Sequence, residues 1–423
     1  MPRDLVLTST IRKKAVRLDI LVVYSAYTTR VSLLDTLYSF RNYTNHRIYY
    51  LNIRTRKIPW YVQRMQFDLI IFHNLFFSNK FDRERQLAVF KKTYLLRDAK
   101  CRKVITPQDE FINSDIVCDF VRKMGVSTIF SVQPELTWST IYGSLNNVQI
   151  INVLTGYLDR RRIKYCAKFF SMDWRRDTLV SYRCIGKPLP WFGRHGYLKQ
   201  LIAPVFVQAM RREGLNYDIS TEDRDAIAGL AWYEFLGSSK YVLGVEGGTS
   251  IYDEKGEIKQ ATDSFTAMFP EANFEEIEEA CFPEIDGHFH GFAISPRHLE
   301  ACLTGTCQIL TEGHYNGILK PNVHYIPLAK DFSNITEVIC RMREDKDREK
   351  IVNNAYRDVV LSGKYDISIF PQTIIGELSS YEERRLSLDY SLFSSVCYYI
   401  LFAKDKLDGL LAIGWSYIKW LKK

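Results

Sequence analysis

Short apolar runs separated by helix-like stretches make up the first third of the chain. Six runs are rich in β-branched and aromatic residues, as buried strands are: LDILVVY, RIYYLNI, FDLIIFHN, KVITP, STIFSV and VQIINV. Between them, RVSLLDTLYSF, FDRERQLAVFKKTYLL and SDIVCDFVRKMG repeat apolar residues at the three- and four-residue spacing of helices. The alternation predicts a parallel sheet with helices on both faces, a Rossmann-like α/β domain over residues 1–160.

The same alternation starts again at about residue 161 and runs to residue 370. Strand-like runs are DTLVSYR, DIS, KYVLGVE, GFAIS, CQILTEG and HYIPL, and helix-like runs include YLKQLIAPVFVQAMRREG, DRDAIAGLAWYEFLGSS, PRHLEACLT and REKIVNNAYRDVVLSG. They predict a second Rossmann-like domain, with an insertion at about 252–287 that carries a short helix at FEEIEEACF. Two such domains can face each other across one cleft, where two substrates meet.

A tail over residues 371–423 follows the second domain. Its part SLFSSVCYYILFAKDKLDGLLAIGWSYIKWLKK, residues 391–423, has uncharged runs too short for the roughly 20 residues of a membrane-spanning helix. We expect a helical tail. It can pack back across the two domains, lie on an anionic membrane surface through its aromatic and basic end, or form an oligomer contact.

Composition fits a globular intracellular protein. The 423 residues are 46% hydrophobic and 25% charged, and the nine cysteines are scattered without a C-x-x-C spacing, which favours reduced thiols and no zinc site. The N-terminus has no apolar run of signal-peptide length, so we expect a cytoplasmic location, at the inner membrane's cytoplasmic face if the tail contacts lipid. The net charge of +8 is dispersed and no nucleic-acid-binding motif is present, so no nucleic-acid partner is expected.

The segment SPRHLEACLTGTCQILTEG, residues 295–313, carries the strongest chemical signal. Ser295 and Pro296 fit a helix cap and first turn, whose free amides form a phosphate site. Arg297 adds a cation suited to a diphosphate, and Glu300, on the same helix face, can accept from ribose hydroxyls. The alternative is that Arg297 and Glu300 form an exposed surface pair.

A second acidic candidate follows the run YVLGV. Glu246 stands at the end of that predicted strand, and Gly247 and Gly248 after it allow a ligand to approach the backbone closely. Glu246 is therefore a candidate catalytic residue and Gly247 a candidate donor-binding residue. The alternative role for Glu246 is to orient the glycine-rich turn.

The first domain offers candidates at the ends of its predicted strands. Asp109 and Glu110 follow KVITP, where an acid can deprotonate or orient an acceptor hydroxyl, although Asp109 can equally be a helix cap. Tyr27 in the loop after the first strand and His73 after the third are candidate acceptor contacts. A lone histidine is more often structural, which is the alternative for His73.

These segments resemble the bacterial surface-polysaccharide and lipopolysaccharide-cluster glycosyltransferases of the GT-B fold. The resemblance spans about residues 18–370 and is most specific at SPRHLEA and VLGVEGG; it also covers VITPQDEF, VLTGYLD and VSYRCIGKPLPWFGRHGYLKQLI. It implies a nucleotide-sugar donor in the second domain and a surface-glycan or lipid-linked acceptor in the first. Glu300 matches the carboxylate expected to hold the ribose, Arg297 lies at the diphosphate end, and Arg183, Lys187 and Lys199 supply further phosphate charge. For Lys187 and Lys199 the alternative is simple solvation.

One position departs from the family pattern. Many retaining members carry a glutamate eight residues before the ribose-binding one, where this chain has Phe292, so the stereochemical outcome does not transfer. His290 or Glu246 can take the equivalent space. No metal and no cofactor are expected, since the Asp-x-Asp spacings at Asp223 and Asp345 fall in charged helical stretches. Three rival functions stay open: a nucleotide-sugar epimerase, a phosphorylase, and a catalytically silent GT-B-like protein that binds a glycan or a membrane assembly.

Overall fold

A computed structural model describes residues 17–54, 57–184, 189–376 and 388–421, without the side chains of 388–391 and 413–421. The first part of the chain forms a six-stranded parallel sheet in the order β2-β1-β3-β4-β5-β6. Its strands coincide with the six predicted apolar runs: β1 (Asp19–Tyr24), β2 (Arg47–Asn52), β3 (Leu69–Phe72), β4 (Arg102–Ile105), β5 (Thr128–Ser131) and β6 (Gln149–Asn152).

Helices cover both faces of this sheet, because its strands are apolar on both sides and need a packing partner on each. Helix α1 (Val31–Asn42) lies on one face, and α2 (Arg83–Thr93), α3 (Ser114–Met124) and α4 (Trp138–Tyr142) lie on the other. The next helix, α5 (Arg160–Cys166), packs in the core of the second domain. One core includes Phe72, Phe90 and Phe120, and the core on the other face includes Phe40 and Phe130.

In the second part of the chain, the described residues form the strands β7 (Thr178–Arg183), β8 (Tyr217–Ser220), β9 (Ser239–Gly244), β10 (Gly247–Thr249), β11 (Gly291–Ala293), β12 (Cys307–Thr311) and β13 (Ile326–Leu328). Five of them form a parallel sheet in the order β13-β12-β9-β7-β8. GFAIS was predicted to extend this sheet, and that prediction is wrong. Its residues form β11, which pairs antiparallel with β10 in a separate two-stranded sheet.

The remaining helices are α6 (Gly193–Arg212), α7 (Ala231–Gly237), α8 (Glu257–Met268), α9 (Phe274–Cys281), α10 (Pro296–Leu303), α11 (Ile335–Arg341), α12 (Asp345–Ala355), α13 (Ile369–Gly376) and α14 (Leu388–Leu421). The insertion contains the expected helix, α9, and an unpredicted one, α8. The long helix predicted from DRDAIAGLAWYEFLGSS is confined to α7, since Gly229 has a φ of +68°, outside the helical region.

The two sheets face each other through their strand-end loops. Thr155, in the loop after β6, donates from its hydroxyl to the carbonyl of Ile294, just before α10. Gly156 lies so close to Pro296 that an added Cβ would stand 2.8 Å from its Cγ. Two Rossmann-like domains thus face across a cleft, the GT-B arrangement, and the predicted fold class is confirmed.

The insertion fastens the second domain to the first at one edge of the cleft. The amide of Asn113 donates to the carbonyl of Asp253 at 3.0 Å, and the amide of Asp253 donates to the carbonyl of Phe111 at 2.8 Å. These reciprocal backbone bonds place Ile112 opposite Asp253 as in a parallel bridge. We call this contact the interdomain bridge.

The tail helices return to the first domain. In α13, Phe370 packs against Phe40 and His73. In α14, the buried carboxylate of Asp405 accepts from the hydroxyl of Tyr24 at 3.0 Å and from the guanidinium of Arg41 at 3.2 Å. The expectation of a helical tail is confirmed, and its packing partner is the first domain.

Across the described part of the chain, we find no helix with the length and apolar character needed to span a membrane.

Candidate active site

A pocket of about 370 Å³ lies at the carboxyl ends of the second sheet's strands and is lined by both domains. The first domain contributes Arg30, Val31 and Ser32 at the start of α1. The second contributes the end of β7, the loop before α7, and the start of α10. The strand order of this sheet reverses between β7 and β9, and such a switch point is where ligands bind in open α/β sheets. We call this the cleft pocket.

Arg297 and Glu300 both line the cleft pocket from α10, one turn of helix apart. The guanidinium of Arg297 donates to the carbonyl of Arg183 at 3.0 Å and stands 5.8 Å from the ring of Trp232. These contacts hold Arg297 beside the pocket. The alternative of a solvent-exposed surface pair is therefore wrong.

The carboxylate of Glu300 accepts from the indole nitrogen of Trp232 at 2.7 Å. Burial raises the pKa of Glu300 to about 7, while the Trp232 hydrogen bond and the charge of Arg297 pull it down. The carboxylate thus has one firm protein donor and borders the pocket, where a ligand hydroxyl can provide another.

Ser295 differs from its predicted role in one respect. Its backbone has the extended conformation of a helix cap, but its hydroxyl makes no capping bond to α10. That oxygen is buried and has no hydrogen-bond partner among the described residues. Ser295 lines the cleft pocket at the start of α10, so the free amides of that helix are available to a ligand there.

Arg183 lines the same pocket, but its guanidinium is already engaged. It forms an ion pair with Asp218 at 2.7 Å, donates to the carbonyl of Asp225 at 3.3 Å and lies 4.5 Å over the ring of Phe235. The prediction that Arg183 neutralises phosphate is corrected on this ground, since its charge stabilises the wall of the pocket. Lys187 lies outside the described residues.

Lys199, on α6, belongs to the cleft between the domains. Its ammonium donates to the carbonyl of Gly248 at 3.4 Å and lies 5.6 Å from the ring of Phe192. Burial lowers the pKa of Lys199, and the charge of Asp109 in the other domain raises it in part. The ammonium of Lys199 interacts electrostatically with both Asp109 and Arg297, so an anionic group in the cleft can bind there. This position does not fit the alternative that Lys199 is simply solvated.

Glu246 is turned away from the cleft. It is 1% exposed, and its two oxygens accept from the amides of His314 and Tyr315 in the loop after β12. The prediction of a catalytic Glu246 is therefore corrected: its carboxylate orients the loop after β12, in place of the glycine-rich turn named in the alternative. Gly247 allows β10 to pair closely with β11, since an added Cβ would stand 2.7 Å from the carbonyl oxygen of Ala293. Its role in donor binding stays a prediction.

Asp109 lies in the first domain and is partly exposed. Its carboxylate pairs with the ammonium of Lys80 at 2.6 Å, and its φ of +52° is in the left-handed region. The helix-cap alternative is wrong, because α3 begins only at Ser114 and its N-cap is Asn113. A non-glycine residue held in this conformation beside a cleft is typical of functional sites.

Glu110 and His73 are structural. Glu110 is 5% exposed and accepts from the hydroxyls of Ser131 and Tyr142 and from the amide of Val132. His73 has no exposed surface and packs between aromatic rings in the core, where burial lowers its pKa to about 3. The predictions of a catalytic Glu110 and an acceptor-binding His73 are both wrong, because neither side chain reaches the cleft.

Tyr27 lies on another cavity, of about 410 Å³, between the loop after β1 and the tail helix α14. The guanidinium of Arg54 stands 5.7 Å from its ring.

Sequence reasoning missed Arg30, Lys80 and Trp232. Arg30 could have been found, since it follows β1 at the same sheet edge as Tyr27. Trp232 gave no signal beyond an apolar helical position.

Among the residues that the structure describes, no group of three or more His, Cys, Asp and Glu side chains is arranged to hold a metal ion. Metal independence stays a prediction.

No protein-family model matches the chain, and no curated protein matches it. Among solved structures, it is similar to an alpha-glucosyltransferase in complex with UDP and a 13-mer DNA, at 12% identity and a TM-score of 0.48. It is also similar to Anabaena HepE in complex with UDP-glucose, at 12% and 0.46, and to a glycosyltransferase from Rickettsia africae ESF-5, at 10% and 0.47. In each case 86% of this chain and 100% of the other are covered. The expected absence of a nucleic-acid partner stays a prediction.

Proposed function

We propose that the protein is a glycosyltransferase that moves a sugar from a nucleotide-sugar donor to a glycan or lipid-linked glycan acceptor. One observation carries the proposal: Ser295, Arg297 and Glu300 line one pocket at the strand ends of the second sheet, and residues of the first domain line its other side. The sequence resemblance to GT-B glycosyltransferases supports it independently.

In this proposal the donor lies along α10. Glu300 accepts from the ribose hydroxyls, because a carboxylate is an acceptor-only group. Arg297, the amides at the start of α10 and Lys199 from α6 of the same domain bind the diphosphate. The base lies toward Trp232 and the neighbouring loop at Ile227–Gly229, which line the same pocket.

The chemistry then needs positioning and charge stabilisation. The acceptor hydroxyl bonds to the anomeric carbon of the donor sugar, and the bond from that carbon to the diphosphate oxygen breaks. The nucleoside diphosphate leaves with the bonding electrons, and Arg297, Lys199 and the helix amides stabilise its charge. Asp109 takes the proton of the acceptor hydroxyl, and its ion pair with Lys80 fixes the position of its carboxylate.

The acceptor belongs to the finer part of the proposal. We infer a bacterial surface glycan or its lipid-linked precursor, reached at the cytoplasmic face of the membrane. The resemblance supports this acceptor class, and the exposed apolar side chains along α14 support contact with an anionic membrane. Vesicle sedimentation with and without residues 388–423 tests that contact, and equal sedimentation of the two proteins would exclude it.

The test is a thermal-shift screen of nucleoside diphosphates and nucleotide-sugars, followed by donor turnover with and without glycan acceptors. Glu300→Ala is the test variant, and Glu349→Ala, whose side chain is 63% exposed, is the matched control. We expect one nucleotide to raise the melting temperature of the wild type and the control but not of Glu300→Ala. Acceptor-independent conversion of the donor sugar would indicate an epimerase, and turnover that requires phosphate a phosphorylase. A folded protein that no nucleotide stabilises would favour the silent binding protein.

A further inference from the structure

A second cavity lies on the opposite side of the loop after β1 from the cleft pocket. Its volume is about 410 Å³. One wall is the first domain and the other is the stretch of α14 from Lys406 to Ala412. We call it the tail cavity. Its position, chemistry and neighbours each indicate a ligand.

The position follows from the strand order of the first sheet. The order β2-β1-β3 reverses at β1, so the loops after β1 and β3 leave the sheet in opposite directions and open a crevice between them. Tyr24 at the end of β1, Asn52 at the end of β2 and Leu75 after β3 all line the tail cavity. The cavity therefore occupies the place in this domain that the cleft pocket occupies in the other.

Most of the exposed lining of the cavity is apolar, with Asn52, Lys406 and Asp408 among its polar members. Its lining includes Ala26, Leu34, Leu37, Leu75 and Leu410. Leu410 also reaches the protein surface, since it is 66% exposed. An apolar path thus runs from the protein surface along α14 into the cavity, which suits a chain that is partly embedded in a membrane.

The tail cavity and the cleft pocket share one loop. Thr28 and Thr29 line the tail cavity, and Arg30, directly after them, lines the cleft pocket. A ligand with an apolar chain in the tail cavity can therefore present its polar head at the cleft.

We propose that the tail cavity binds the hydrocarbon chain of a lipid-linked acceptor, with α14 as one wall of the site. The role in transfer rests on the proposed function, whereas the binding of a hydrocarbon chain does not. The tail helix is then part of the acceptor site as well as a packing element.

The test uses the full chain and n-alkyl β-glucosides of six to nine carbons, below their micelle concentrations, by isothermal titration calorimetry. Transfer of apolar surface predicts an affinity gain of about fourfold per added methylene, with a negative heat-capacity change. Gly409→Trp is designed to fill the cavity. An added Cβ at Gly409 meets no atom within 4 Å, and Gly409 lies inside a helix, where a larger residue is favourable. Leu407→Trp, on the same helix but outside the lining, is the matched control.

We expect Gly409→Trp to weaken nonyl glucoside binding at least tenfold and Leu407→Trp to change it less than twofold. Gly409→Leu, a smaller filler, should give an intermediate loss and serves if the tryptophan variant does not fold. An affinity that does not depend on the length of the alkyl chain would overturn the proposal. So would a loss of affinity in Leu407→Trp alone, because it would place the alkyl chain on the outer face of α14. Thermal shifts caused by nucleotides, measured on the same variants, separate this proposal from the proposed glycosyltransferase function. If nucleotides cause no shift while the alkyl glucosides still bind, only the glycosyltransferase function is rejected.

Discussion

Replacing Glu300 by glutamine should remove a pH-dependent cost of folding. Burial raises the pKa of this carboxyl from 4.5 to about 7. The folded state therefore holds the proton to a higher pH than the unfolded state, and wild-type stability falls as the pH rises from about 4.5 through about 7. Glutamine keeps the shape and an oxygen for the Trp232 indole but does not ionise.

The size of the effect follows from the same pKa values. Their difference corresponds to a loss of about 3 kcal/mol between pH 4.5 and pH 8, an upper value because the pocket admits water. For a domain of this size, that is roughly 6–12 °C in melting temperature. Glu110, whose pKa burial also raises to about 7, is present in both proteins and cancels in the comparison.

The assay is scanning calorimetry of the wild type and Glu300→Gln from pH 4.5 to pH 8. The melting temperature of the variant should rise relative to that of the wild type as the pH rises, with most of the increase between pH 5 and pH 7. Glu349→Gln removes an exposed carboxylate of the same domain and should follow the wild type within about 1 °C, since surface pairs contribute little. Parallel curves for the wild type and Glu300→Gln would refute the idea that Glu300 is a buried carboxyl on the pocket wall.

Three further predictions concern the cleft and the tail. Asp109→Asn should lower the rate of sugar transfer by about 10²–10⁴-fold while leaving nucleotide affinity within about twofold. Rate assays and nucleotide titrations measure the two separately, and a parallel fall in rate and affinity would reject the role of Asp109 as a base. Arg297→Ala should weaken nucleotide binding by about 10–100-fold in calorimetry, against no change for Lys240→Ala on the far surface; equal affinities would remove Arg297 from the diphosphate site. Asp405→Ala removes the buried partner of Arg41 and should destabilise the first domain by about 3–5 kcal/mol, measured as a lower denaturation midpoint and faster proteolysis of α14. An unchanged midpoint would show that α14 is held by its apolar contacts alone.

The fold could be predicted because both sheets are built from continuous apolar runs, which leave a strong pattern in the sequence. The exceptions are short. GFAIS has the composition of a strand, but the three residues that form β11 carry no signal for which sheet they join. Their pairing with β10 places them in the separate two-stranded sheet. The break before α7 depends on the positive φ of Gly229, and a glycine inside an apolar helical pattern shows no such angle in advance.

The candidate site could be predicted only in part, because residue type does not show where a side chain points. Glu110 and Asp109 are neighbours after the same strand. The Glu110 carboxylate is buried and hydrogen-bonded to Tyr142, whereas the Asp109 carboxylate points toward Lys80 and solvent. Likewise, Glu246 and Glu300 both follow strong motifs, but the loop amides after β12 take both oxygens of Glu246. Ser295 and Arg297 were found because a helix start has a fixed geometry once its first residues are recognised.

The interdomain bridge has a consequence for how the chain can be divided. Its donors and acceptors belong to Phe111, Asn113 and Asp253, which lie on either side of the connection near residue 160. A protein cut at that point would leave backbone groups of both fragments without partners, in a stretch where Phe111 and Ile112 are otherwise buried. Each fragment would thus expose backbone groups that only the other fragment can pair, so the two fragments, expressed together, are suited to reassemble into one folded protein.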